Sequence, residues 1–394
     1  MPLNAASATG DWTGYARITA PALLTLFMAA VTIRAWRSAK GIGSPGRWAI
    51  AATICFALLD WGLVTALPHL GLSFGPVETA LIGMFGLRLA LYALLLAALT
   101  VSLLRRRPAP AKRSIGGLAL LWLGNLVLLG LLVDAFYIEP FLLTVTNVRV
   151  DTPAFPAGKP LRIVQLSDPH VERTTKREQE LIPLVDSLEP DLIALTGDYL
   201  NLAYVRDPIA LHDAREMLSQ LHAPYGVYAV AGTVDHPSQL MDDLFEESDI
   251  LVLDDEVVTV PLENGDLYVV GVTNLERRRD TAALRSVMDQ VPEDVYTLLL
   301  YHTPDLIETA AEEGVDLYLA GHTHGGQIRL PFYGAIVTFS DYGKQYEHGL
   351  YTVGATTMYV TRGLGMEGFW FTPRVRFLCP PEVVVLDVGP GGEP

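Results

Sequence analysis

Cysteine is nearly missing from this 394-residue chain: there are two, Cys55 inside an apolar run and Cys379 near the end. Two distant thiols imply no disulfide framework and are too few for a thiolate-rich structural zinc site. Positive charge is scarce as well, with 28 Lys and Arg against 44 Asp and Glu. The shortage is local. Residues 151–394 hold 16 basic against 39 acidic side chains, whereas residues 1–150 hold 12 against 5. An acidic second half argues against a nucleic-acid partner, because phosphate backbones are neutralised by Lys and Arg. No repeated motif suggests a transporter. The length leaves room for about two or three domains.

What the first half does have is apolar sequence. Four runs, Ile18–Ile33, Trp48–Leu67, Thr79–Leu104 and Ile115–Phe136, approach or exceed the ~20 residues that cross a bilayer core, the first marginally. A signal peptide is the competing reading of the first run, but only Arg17 precedes it. The expectation is therefore a four-helix transmembrane region over residues 1–141, followed by a soluble domain over 142–394. Arg34, Arg37, Lys40 and Arg47 fill the first loop, and Arg105, Arg106, Arg107, Lys112 and Arg113 the third. The loop between Pro68 and Glu78 has no Lys or Arg. Positive loops face the cytoplasm, so the protein is expected in the plasma membrane as a multi-pass chain with its acidic domain on the extracytoplasmic side. Asp60, Arg88 and Asp134 lie in or near the runs. Such charges mark function or pair for packing, and Asp60 with Arg88 fits the second description.

The second half alternates short apolar strands with helical stretches, which predicts a mixed α/β fold. An edge strand is expected over Leu142–Val150. Further strands are expected at Leu161–Leu166, Leu192–Leu195, Val227–Val230, Ile250–Leu253, Val257–Val260, Leu267–Val272, Tyr296–Leu300 and Leu317–Ala320, with Leu350–Val353, Met358–Val360 and Val383–Val388 after them. Helices are expected at Glu178–Leu188, Ile209–Leu221, Pro237–Phe245, Ala282–Met288 and Leu306–Glu313.

Polar residues follow these strands in a pattern. Leu166 is followed by Ser167-Asp168-Pro169-His170, and Leu195 by Thr196-Gly197-Asp198. Val230 is followed by Ala231-Gly232-Thr233-Val234-Asp235-His236, Leu300 by Tyr301-His302, and Ala320 by Gly321-His322-Thr323-His324. The carboxyl rim of strands is where ligands bind in open α/β sheets. Asp168, His170, Asp198, His302, His322 and His324 form a nitrogen and oxygen donor set suited to Mn, Fe, Zn, Co or Ni. Six donors exceed what one ion with open positions needs and suit two ions roughly 3.5–4 Å apart sharing a carboxylate, an arrangement that polarises a phosphoryl oxygen and acidifies water.

The order D-x-H, G-D, G-N-H-[DE], H, G-H-x-H resembles the calcineurin-like metallophosphoesterases, and most nearly their membrane-associated bacterial branch. The likeness spans about residues 142–394, including Tyr359-Val360-Thr361-Arg362-Gly363-Leu364-Gly365. It implies a four-layer α/β/β/α sandwich. It also implies one metal held by Asp168, His170, Asp198 and His324, with Asp198 bridging to a second held by His302 and His322. One motif departs: the family's Gly-Asn-His-Asp/Glu is Gly232-Thr233-Val234-Asp235 here. Thr233 then stands where the family's Asn ligates the second metal. An alignment slipped by two residues puts Asp235 and His236 in the ligand and general-acid roles instead. Asn201 either touches a phosphate or caps its turn, and Arg362 either binds substrate oxygens or forms a structural ion pair.

The activity this implies is hydrolysis of a phosphodiester, pyrophosphate or phosphomonoester by a membrane-anchored dinuclear enzyme. Loss of the usual acid histidine favours diesters and pyrophosphates. The anchor suggests membrane lipids as neighbours and a lipid-linked or envelope-derived substrate. The alternative is a degenerate metal-binding sensor with little hydrolase activity, its second site weakened at Thr233.

Overall fold

The computed structural model describes residues 112–390 apart from 157, 237, 247, 264 and 368–373, with scattered positions between 51 and 101. The run Ile18–Ile33, most of Trp48–Leu67 with Asp60, and parts of Thr79–Leu104 lie outside the described residues. Helix α1 (Lys112–Val133) continues through a π turn, Asp134–Ile138, and a 3-10 turn, Glu139–Phe141. Among the described residues, Ala119–Phe141 is the one helical stretch long and apolar enough to cross a membrane, while Phe85–Leu94 is a shorter apolar helix. The expectation of four spanning helices is therefore supported for one run only. Arg88 is buried, donates to Asn125 Oδ1 at 3.2 Å and lies over the Phe85 ring. That is a packing role.

The chain forms two compact units, the second comprising Ala135–Glu367 and Arg374–Pro394. It carries the α/β fold. Its strands are β1 (Thr144–Asp151), β2 (Leu161–Leu166), β3 (Leu192–Leu195), β4 (Val227–Ala229) and β5 (Leu251–Val252). Next come β6 (Glu256–Leu262), β7 (Gly265–Gly271), β8 (Tyr296–Leu300) and β9 (Leu317–Ala320). A short hairpin, β10 (Arg329–Leu330) and β11 (Gly334–Ala335), precedes β12 (Gly349–Val353), β13 (Thr356–Val360) and β14 (Glu382–Gly389). The helices are α2 (Lys176–Ser187), α3 (Pro208–Leu218), α4 (Ser238–Phe245), α5 (Arg277–Met288) and α6 (Ile307–Glu312).

Two six-stranded sheets result, ordered β1-β14-β2-β3-β4-β5 and β12-β13-β9-β8-β7-β6. Strand β1 is at the edge, as its sequence suggested. It pairs in parallel with β14, which is antiparallel to β2. Period-two alternation sorts the apolar residues into layers. Along β2, Leu161 and Ile163 join a cluster with Leu267, Leu298, Leu300, Leu317 and Leu319 of the other sheet. Val164 and Leu166 point the other way, toward Leu181, Val185 and Ala214 of α2 and α3. Leu299 and Tyr318 likewise pack on Leu284, Val287 and Ile307 of α5 and α6. Each sheet thus faces the other across one apolar layer and carries helices on its far side.

Strands β2, β3 and β4 are mutually parallel, as are β8 and β9. Their carboxyl ends deliver the polar turns anticipated from sequence.

Candidate metal centre

The six candidate ligands gather into two groups, Asp168 with His170 and His324, and Asp198 with His302 and His322. Each group draws on both sheets. Asp168 and His170 follow β2 and Asp198 follows β3, while His302 follows β8 and the two remaining histidines follow β9. Within the first group, His170 Nε2 lies 3.1 Å from His324 Nε2, and the latter 3.4 Å from Asp168 Oδ1. Within the second, His322 Nδ1 lies 3.2 Å from His302 Nε2, and His302 Nε2 lies 3.1 Å from Asp198 Oδ2. Asp198 Oδ2 is also 3.8 Å from His170 Nε2, so this carboxylate reaches both groups.

The turns holding these side chains are strained. Five of the six have positive φ: Asp168 50°, His170 42°, Asp198 59°, His322 66° and His324 50°. Such backbone costs about 1–3 kcal/mol per residue and persists where surroundings over-determine it. Here the constraints are visible. Asp168 accepts the His322 N–H, tying the β2 turn to the β9 turn. Leu364 and Gly365 donate backbone N–H to Ser167 and Asp168 carbonyls. Buried Arg376 holds that loop by donating to the carbonyls of Arg362, Gly363, Gly365 and Cys379. The turns also pass too close for side chains. A Cβ at Gly197, where φ is 96°, would meet Gly232 Cα and His302 Nδ1, and one at Gly321 would meet Ser167 Oγ and Asp168 Oδ2.

Ring orientation is set from behind. His302 Nδ1 donates to the Thr196 carbonyl at 2.6 Å, leaving Nε2 for the centre. His170 Nδ1 is 3.2 Å from Glu367 Oε2 and 3.4 Å from the Leu200 carbonyl, again leaving Nε2 inward. This is how metal-binding imidazoles are oriented.

Electrostatics points the same way. Burial, the largest influence, drives His170 down to about 4 and His322 to about 4, with the charge of His302 adding to both. Burial and His170 hold His324 well below its usual value. These rings are neutral near pH 7. Burial would lower His302 too, but Asp198 and then Asp168 outweigh it and hold the ring near 10. Burial raises Asp168 to about 6, and its effect on Asp198 is overcome by His302, which holds that carboxyl well below the usual range. Two buried carboxylates thus demand positive charge between them.

A divalent ion meets that demand, and the donor set fits one. Two imidazole nitrogens each about 2.1 Å from an ion at roughly 90–110° stand roughly 3.0–3.4 Å apart. The nitrogen pairs here lie at 3.1 and 3.2 Å. Asp168, His170, Asp198, His302 and His324 are buried, His322 is half-buried, and Thr233 beside Asp198 is exposed.

The remaining predicted site residues are not among the two donor groups. Thr233 is exposed, and its hydroxyl donates to Asp198 Oδ2 at 3.1 Å beside the Val234 N–H on Oδ1 at 2.9 Å. The slipped alignment is not matched by geometry. Asp235 is buried with its carboxylate turned onto three backbone N–H groups, of Asp198 (2.7 Å), Gly232 (2.7 Å) and Tyr199 (3.0 Å). With its oxygens so occupied it positions the Asp198 turn. His236 binds the Asn274 carbonyl through Nε2. Asn201 caps the 3-10 turn Leu202–Tyr204 through the Ala203 N–H and donates to the Met366 carbonyl. Arg362 pairs with Glu382 at 3.0 Å. In this structure Asn201 caps a turn and Arg362 forms an ion pair, the second of the two roles open to each. Glu367 and Arg376 were missed; neither lies in a patterned motif, although Glu367 shortly follows the glycine-rich stretch at 363–365.

Residues 161–326 match the calcineurin-like phosphoesterase family. Among curated relatives, the uncharacterized metallophosphoesterase YkuE of Bacillus subtilis is 32% identical over 64% of this chain and 87% of its own length. The phosphodiesterase YaeI of Escherichia coli is 30% identical over 58% of this chain and 82% of its own. The UDP-2,3-diacylglucosamine pyrophosphatase LpxG of Chlamydia trachomatis is 26% identical over 64% and 92%. With the family match, the likeness to these relatives and two donor clusters at its strand ends, this chain belongs to the calcineurin-like metallophosphoesterases, metal-dependent phosphoester hydrolases that use two divalent ions.

Proposed function

We propose that this protein is a membrane-anchored phosphoesterase that cleaves phosphodiester or pyrophosphate bonds in preference to simple alkyl monoesters. The observation that carries the reading is the double reach of Asp198, at 3.1 Å from His302 and 3.8 Å from His170, as a shared carboxylate requires. Asp168, His170, Asp198 and His324 would hold one ion, and Asp198, His302 and His322 the other. When bound, the ions supply Lewis acidity toward a phosphoryl oxygen and acidify water.

The chain's own groups do the rest. Thr196 and Glu367 keep His302 and His170 with Nε2 inward. Thr233 and Val234 hold Asp198 by hydroxyl and N–H. Val234 has no side-chain proton to give a leaving group, and His236 faces a carbonyl. A substrate must then release a group stable as an anion, which favours activated diesters and pyrophosphates. Two relatives are named as a phosphodiesterase and a pyrophosphatase, in keeping with that preference. The LpxG name also supports a lipid-linked substrate. The apolar stretch Ala119–Phe141 supports an anchor, and the Lys- and Arg-rich sequences around Arg34 and Arg105 support an extracytoplasmic active domain over residues 142–394.

The test is metal analysis and turnover of the full chain in detergent. Two ions per chain and Mn-stimulated cleavage of bis(p-nitrophenyl) phosphate are expected. His322→Ala should keep one ion, lose the other and cut turnover by about 100-fold or more. One ion per wild-type chain without turnover would overturn the proposal in favour of a sensor, the reading that Thr233 favours.

A further inference from the structure

The final residues of the apolar stretch, Ala135–Phe141, belong to the catalytic unit and are fastened to one segment of it. The Ala135 carbonyl accepts the Arg376 N–H at 3.0 Å, and the Glu139 carboxylate accepts the N–H groups of Leu378 and Cys379. The same segment is bound to the residues that follow the metal turn. Phe377 donates to the Gln327 carbonyl and accepts from the Arg329 N–H, both at 2.9 Å. Cys379 Sγ donates to the carbonyl of His324 itself at 3.2 Å. The end of the apolar stretch, the segment 376–379 and the metal turn are thus one hydrogen-bonded platform.

From this platform rises the β10–β11 hairpin, and it is apolar where a surface loop is normally polar. Phe332 at its tip is wholly exposed and Tyr333 is 58% exposed, with Leu330, Ile336, Val337 and Phe339 also exposed. Its far end reaches the site, for the Phe339 ring lies 6.4 Å from that of His322. At the platform's base Tyr137, Ile138, Leu142 and Leu378 are exposed too. Lys344 Nζ sits 3.6 Å above the Tyr333 ring. Apolar patches of this kind mark interaction surfaces, and aromatic side chains flanked by a cation are typical of the membrane interface.

We propose that the hairpin Arg329–Phe339 dips into the surface of the bilayer that the apolar stretch leaves, so that the metal centre receives the phosphate of an amphiphile still seated in the membrane. This rests on the anchored phosphoesterase reading above. Continuity selects the bilayer over other occupants: the segment that fastens the end of the apolar stretch also pairs with Arg329 at the root of the hairpin, and Phe339 at the hairpin's other end meets His322.

The test uses the full chain in lipid nanodiscs. A fluorophore is placed on Phe332→Cys in a Cys55→Ser background, Cys379 being buried. A control carries it on Asp294→Cys, exposed at the opposite end of β8. The Phe332 label should lose emission to spin-labelled lipid and little to aqueous iodide, and the Asp294 label the reverse. Loss to iodide alone at Phe332 overturns the proposal. So does protection from both quenchers with a doubled particle mass, which would mean a second copy covers the hairpin. For the substrate, the ratio of nanodisc-borne hexadecyl p-nitrophenyl phosphate turnover to soluble bis(p-nitrophenyl) phosphate turnover should fall at least about tenfold in Phe332→Ser, the fold-change for withdrawing one buried Phe. An unchanged ratio overturns that part. Quenching is read without turnover and soluble-diester cleavage without lipid, so this inference and the hydrolase reading fail separately.

Discussion

Replacing Asp235 separates a ligand from a positioning residue. Its two oxygens accept three backbone N–H groups, those of Asp198 and Gly232 on Oδ2 and that of Tyr199 on Oδ1. All are buried, and a buried donor left without a partner costs about 1–3 kcal/mol. Asp235→Asn can keep its amide oxygen on Asp198 and Gly232 and forfeits only the Tyr199 bond, an expected loss of about 1–3 kcal/mol. Asp235→Ala forfeits all three, with an upper limit of about 9 kcal/mol, comparable to the whole stability of a domain. The Asn variant should therefore fold, and the Ala variant should be at least about 2 kcal/mol weaker still. Urea unfolding of the full chain in detergent measures the difference, with metal content determined on the same samples. Because Asn preserves the Asp198 turn, it should retain two ions per chain. Equal stability of the two variants would refute the reasoning. An Asn variant of wild-type stability that had lost one ion would restore Asp235 as a ligand.

Two further perturbations probe the surroundings. Glu382 is buried and accepts from Arg362, Tyr359, Thr361 and Thr146; burial would raise its carboxyl, but Arg362 and these hydrogen bonds outweigh it and lower the pKa below 4.5. A depressed carboxyl stabilises the fold above its unfolded pKa and loses that stabilisation as pH falls. Glu382→Gln should thus cost about 3 kcal/mol near pH 7, and the gap should close in melts taken progressively below pH 4.5; a pH-independent gap would refute the linkage. Gly321→Ala would drive a Cβ into Ser167 and Asp168, costing about 1–3 kcal/mol and the ion held by Asp168. Retention of two ions by metal analysis would show that the turn can yield.

The six candidate ligands were legible because each follows a short apolar strand with polar bounds. Strands β2, β3, β8 and β9 have the limits that their sequences suggest. For Asn201 and Arg362 the sequence left two roles open, because the partners they meet in the structure are distant in sequence. Arg362 is claimed by Glu382 at the start of β14, and Asn201 by the Met366 carbonyl. Asp235 misled for a related reason: a carboxylate beside a ligand turn looks like a ligand until its backbone partners are seen. Helix α5 begins at Arg277, five residues before its expected start, because three consecutive arginines hide the apolar stripe. The β10–β11 hairpin escaped notice because two-residue strands are too short for alternation to register.

The place of β14 has a consequence for how the molecule is made. This strand lies between β1 and β2, so among the described residues the first strand after the apolar stretch has no neighbour until residues 382–389 have been made. Pairing across more than two hundred residues is slow to nucleate, and synthesis adds only about 5–20 residues per second. The emerging polypeptide therefore spends seconds with an unpaired β1 and an open first sheet. During that interval Glu382, at the head of β14, has yet to reach Arg362. Until β14 arrives, the edges of β1 and β2 that it will join keep unpaired backbone groups.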